Sequence, residues 1–161
     1  MPKRGAAVAA ACLALAAVAA VRLGQHHGTG AAGHGGTPPP QPQQAYAVAR
    51  QEFGLLAGGG WAQAWSLWTD GARQAVPQAE FVRVNTACRP VAGVPYVIDG
   101  STAVSATAVR VDWHRAGATG SNTLLYQAGH WRFAPDAATL ADYGLGTDQL
   151  IATRRAAHSC H

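Results

Sequence analysis

Apolar positions fall into three regimes along the chain. Gly5 to Val21 is an unbroken apolar run, Gly24 to Gln44 almost lacks apolar side chains, and from Ala45 onward the apolar residues become periodic. In "AYAVARQEFGLL", Tyr46, Ala49, Phe53 and Leu56 stand at helical spacing and predict an amphipathic helix closed by Gly58-Gly59-Gly60. In "GGGWAQAWSLWTD", Trp61, Trp65 and Trp68 fall at i, i+4 and i+7, on one face of a second helix that Ala64 and Leu67 widen. An aromatic platform for sugars or bases would expose its rings among polar hydrogen-bonding residues. These three are therefore expected to wall a core, with at most one of them reaching a cavity. Pro77 suits the first turn of a third helix, "PQAEFVRVNTAC", with Phe81, Val84 and Cys88 on one side and Arg89-Pro90 at its end.

After Pro90 the period changes. "VPYVIDG" reads as a short strand with Gly100 at its turn. "TAVSATAVRVDWH" alternates, with Thr107, Val109, Val111 and Trp113 on an apolar face and Arg110, Asp112 and His114 on the other. "AGATGSN" is expected to turn the chain into "TLLYQ", and Ala128-Gly129 to turn it into "HWRFAP". There Trp131 and Phe133 point one way, His130 and Arg132 the other. "GTDQLIATRRAAH" predicts a C-terminal helix with Thr147 at its N-cap. Three helices followed by an antiparallel meander is an α+β plan, with helices covering one sheet face.

Composition divides the 161 residues into three parts. Lys3 and Arg4 followed by an apolar run make residues 1–22 a secretory signal peptide or an N-terminal membrane anchor. Its alanine-rich run is short for a bilayer span, which needs about 20 residues. Cys12 follows Ala9-Ala10-Ala11, without the leucine of a lipoprotein cleavage site, and reads as an inert thiol. Either way the rest of the chain is expected outside the cytoplasm, secreted or held at the membrane only by this segment. Residues 23–44, rich in Gly, Pro, Gln and His, cannot bury enough surface to offset chain entropy and read as a flexible linker. His26, His27 and His34 lie in it without a fixed geometry for a metal. Residues 45–161 are the folded domain.

The net charge of +4 owes much to Lys3, Arg4 and Arg22; the domain keeps nine arginines against eight carboxylates. No basic stripe remains, so nucleic acid is not an expected partner. Cys88 and Cys160 are the two cysteines left for an oxidising compartment, and a disulfide between them is expected. The competing cluster His158, Cys160 and His161 lacks a fourth ligand, so no metal or cofactor is expected.

Two segments resemble the nuclear-transport-factor-two-like, or cystatin-like cone, superfamily across about Ala45 to Pro135. "LLAGGGWAQAWSLWT" is similar to its junction of first and second helix, although Gly60 stands where an acidic or amide residue is common. "YQAGHWRF" is similar to its final hairpin. The resemblance implies N-terminal helices packed on a curved antiparallel sheet, a small bacterial envelope protein, and homodimerisation through the sheet face. Catalytic members of the superfamily work inside the cone with a carboxylate or histidine shifted by an apolar pocket.

Here the candidates for such a group are Asp99, Asp112, His114 and His130, with Tyr46, Tyr96 and Tyr126 as hydroxyl donors. Asp112 and His114 share the polar strand face with Arg110, which is expected to meet solvent. There is no G-x-S-x-G elbow, phosphate loop or H-E-x-x-H motif. No catalytic residue is assigned. The leading expectation is a non-catalytic domain binding a small apolar ligand or an envelope protein partner. Its pocket would be bounded by some of Trp65, Trp68, Phe81, Tyr96, Trp113 and Trp131. The alternatives are an isomerase-, dehydratase- or hydrolase-type enzyme, which needs a buried Asp or His in the cone, and a structural envelope protein with a solid core.

Overall fold

A computed structural model describes residues 39–89, 91 and 93–160. The expected signal or anchor, the linker as far as residue 38, Cys12 and His161 lie outside the described residues. Six helices and four strands follow in order: α1 (Pro42–Gly58), α2 (Trp61–Ser66), α3 (Asp70–Ala75), α4 (Gln78–Ala87), β1 (Val97–Ser105), β2 (Ala108–Arg115), β3 (Ala118–Gln127), β4 (His130–Ala134), α5 (Ala137–Gly144) and α6 (Thr147–Ala156). The strands make one antiparallel sheet in the order β1-β2-β3-β4. The protein is thus α+β, as its change of period implies. None of the described helices is long and apolar enough to cross a membrane.

Helix α1 opens at Pro42, three residues inside the segment expected to be linker, because proline's fixed φ suits a first turn. Its buried face is Ala45, Ala49, Glu52 and Phe53, while Tyr46 is 37% exposed. The expected second helix is shorter than its tryptophan spacing suggests. It ends at Ser66, and Trp68 leaves it for the sheet. Thr69 N–H donates to the Phe133 carbonyl at 2.9 Å, and Phe133 N–H donates to the Leu67 carbonyl at 2.8 Å. Residues 67–69 so satisfy the outer edge of β4, whose unpaired groups would otherwise need water. Helix α4 begins just after Pro77 and buries Phe81 and Val84, with Cys88 buried at its end.

In the sheet, Gly100 is no turn: β1 runs through it, with register shifts between Ile98 and Gly100 and between Ala103 and Ser105. The turn comes at Ala106-Thr107, where the Ser105 hydroxyl accepts from Thr107 N–H at 3.2 Å. Thr107, expected on the apolar face, is therefore exposed. Only Ala116-Gly117 of "AGATGSN" turns the chain, and the remainder is strand β3. That pair and Ala128-Gly129 have positive φ at both residues, 45° and 82°, then 48° and 84°, as tight two-residue hairpins require. At the C-terminus Gly146 rather than Thr147 is the N-cap of α6, and Thr147 is its buried first residue.

The inner sheet face offers Val109, Val111, Leu124, Trp131 and Phe133 to a core completed by Phe53, Ala64, Trp68, Phe81, Val84 and Leu150. The Sγ atoms of Cys88 and Cys160 are within bonding distance, with their Cα atoms 4.5 Å apart. The pair ties the end of α4 to the segment after α6, and an Arg83–Asp148 ion pair joins α4 to the first turn of α6. Outside the described pairings, the far edge of β1 meets no strand among the described residues.

Candidate functional site

Between α1, α4 and the inner sheet face the side chains leave a cavity of about 370 Å³, with α5 and α6 contributing to its far end. That volume lies at the small end of the range typical of ligand sites. Phe53 holds one wall: it stacks on Tyr96 at 4.8 Å and meets Trp113 and Phe133 edge-on at 5.9 and 5.6 Å. Trp68, Phe81 and Tyr143 make a second wall, with centroids 4.7 Å apart for Trp68–Phe81 and 5.7 Å for Phe81–Tyr143. Leu56 and Trp61 also border the space.

Four of the expected pocket residues, Trp68, Phe81, Tyr96 and Trp113, border the cavity, but Trp65 and Trp131 do not. The Trp65 indole turns away to donate to the Val76 carbonyl at 2.7 Å, and Arg73 lies over its ring. Trp131 is buried against Tyr126 at 5.4 Å and faces a separate depression beside Leu67 and Val48. Both Trp61 and Trp68 reach the cavity, where the helical face allowed at most one of the three, because Trp68 is freed from α2.

The acid and base candidates read from the sequence lie elsewhere. His114 Nδ1 pairs with Asp99 Oδ1 at 2.7 Å on the outer sheet face, and Arg110 pairs with Asp112 beside them. His130 is exposed at the start of β4. The enzyme expectation, as framed on a buried Asp or His, finds none of these four in the cavity.

A different carboxyl borders it. Glu52 of α1 is wholly shielded from water, and Trp68 Nε1 donates to its Oε1 at 3.0 Å. Its Oε2 is buried with no hydrogen-bond partner among the described residues. Burial pushes the carboxyl from the usual 4.5 up to about 8, against the Trp68 indole, which favours the anion. Glu52 is therefore a neutral acid at pH 7, with a proton to donate. The sequence held a signal for it: Glu52 falls three residues after Ala49 and four before Leu56, inside the apolar stripe.

Most other polar groups at the cavity already have partners. Asn85 Nδ2 donates to the Phe81 carbonyl at 2.8 Å and to the Tyr143 hydroxyl at 2.9 Å. Trp113 Nε1 donates to Asn122 Oδ1 at 2.8 Å. Arg115 donates to the Tyr96 hydroxyl and lies 4.6 Å from its ring. Burial raises the Tyr143 hydroxyl above its usual pKa, Arg154 opposing, so it too stays protonated. Among the described residues no three His, Cys, Asp or Glu side chains group to hold a metal ion. No family model matches this chain, and no match to it was found among the curated proteins.

Proposed function

We propose that this chain is a non-catalytic binding domain of the cystatin-like cone kind that takes a small, largely apolar ligand into the cavity under α1 and α4. The observation that carries the reading is the aromatic cavity of about 370 Å³. The pocket is half-open to the surface, and its aromatic lining and buried Glu52 set it apart from the depressions beside Tyr46 and beside Trp131. Concave, aromatic-lined spaces with a few placed polar groups are the usual form of a small-molecule site. The apolar N-terminal run and the Cys88–Cys160 pair support work outside the cytoplasm, at the envelope. The outer sheet face carries ion pairs rather than an apolar patch, which favours a ligand over a homodimer or an envelope protein as first partner.

Native mass spectrometry on protein recovered gently from the extracytoplasmic fraction of its producing cells tests this. An added mass of a few hundred daltons is expected; a persistently bare monomer argues for the structural reading, and a doubled mass for the sheet face. A second reading, an isomerase-, dehydratase- or hydrolase-type enzyme, now rests on Glu52, the neutral acid at the cavity.

A further inference from the structure

Glu52 is a costly residue to keep in this place. A buried carboxyl with one oxygen unpartnered loses hydrogen bonds to water that the fold does not replace. A leucine of similar volume would fill the same site without that loss. Several other polar groups around the cavity are engaged: Asn85 donates to Phe81 and Tyr143, Trp113 to Asn122, and Arg115 to Tyr96, the two tyrosine hydroxyls accepting. Asp136 is engaged as well, capping α5 by accepting from Thr139 N–H at 2.8 Å. Glu52 Oε2 is left. Trp68 donates to Oε1, which places the acid proton on Oε2. The terminal torsion of a glutamate is soft, so a modest rotation turns Oε2–H toward the space it borders.

We propose that Glu52 sets the specificity of the cavity: its neutral carboxyl, held by Trp68, donates Oε2–H to a carbonyl oxygen on an otherwise apolar ligand. This rests on the cavity being a ligand site. The chemistry favours a neutral acceptor over an ionised group. An anion would meet a donor but no free counter-charge, because Arg154 is already paired with Asp142 at 3.8 Å. A cation would have to draw a buried carboxyl into its charged form.

The test is a matched pair of probes on the purified full chain: 2-acetylnaphthalene, which carries a ketone, and 2-ethylnaphthalene, which has the same rings without an acceptor. Calorimetric titration at pH 6 is expected to show the ketone bound about five- to tenfold more tightly, the worth of one well-made hydrogen bond. At pH 9.5 the carboxyl is ionised, can only accept, and the preference disappears. Tyr96, Asp136, Tyr143 and Arg154 also border the cavity, so Glu52→Gln is the control. Its amide keeps an N–H donor and an acceptor for Trp68, and the ketone preference should persist unchanged from pH 6 to 9.5. Glu52→Leu should bind both probes equally. If a variant does not fold, as judged by near-ultraviolet circular dichroism, the wild-type comparison across pH decides alone. Equal binding of the two probes by wild type at pH 6 overturns the role of Glu52 and leaves the ligand site standing. Binding of neither overturns the ligand site itself, and this inference with it.

Discussion

At Glu52 the helix carries a carboxyl where water does not follow, and the fold responds by keeping its proton. The unfolded chain releases that proton near 4.5 and the folded chain near 8. Between those values the folded state holds one more proton than the unfolded state. The stabilisation is therefore complete below about 4.5 and is lost as pH rises through about 8. The slope is at most about 1.4 kcal/mol per pH unit. Urea unfolding of wild type and Glu52→Gln at pH 5, 6.5 and 8 measures it: the wild-type stability should fall relative to the variant with rising pH. Parallel curves would mean that water reaches the carboxyl. Glu52 was legible only as a polar interruption of an apolar stripe, and the run Arg50-Gln51-Glu52 made it look like helix surface. Burial of a charged residue type is a tertiary outcome, decided by Trp68 arriving from outside α1.

Among the elements, the β2–β3 pair shows how a strand position shapes the cavity. Gly120 stands opposite Trp113, whose indole folds across it. A Cβ there would lie 2.8 Å from Trp113 Cε2 and nearer still to Cζ2. Gly120→Ala is expected to push the ring toward the cavity, strain its bond to Asn122, and cost about 1–3 kcal/mol. Gly100→Ala, which meets no atom within 4 Å, should change stability by no more than about 0.5 kcal/mol. Chemical unfolding of both variants checks the contrast. Alternation along β2 and β4 was readable because one face is buried and the other wet, so Val109, Val111, Trp131 and Phe133 announced themselves. Turns were read less well. Ala106-Thr107 contains none of the usual turn residues, whereas the turn formers after Gly117 were drawn into β3 by pairing with β2. Helices α3 and α5 are too short for periodicity to reveal.

At the scale of the whole molecule, the Cys88–Cys160 pair joins residues 72 apart in sequence. Such a loop contributes about 4 kcal/mol by restricting the unfolded chain. Replacing both cysteines by alanine should lower the unfolding free energy by about that amount, and a reductant should do the same to wild type while leaving the double variant unmoved. The α+β class and this pairing were legible because each depends on composition and period alone. The cavity was not, since its outline depends on where Trp61, Trp65 and Trp68 part company. The two sheet edges, finally, are treated unlike each other. One is occupied by residues 67–69, and the other is β1, whose ladder breaks step twice within nine residues. A fibril grows by stacking flat strands in continuous register, and this edge offers only short lengths of it. Among crowded copies the β1 edge therefore gives no straight template to copy, a safeguard against amyloid growth at that edge written into the backbone rather than into charge.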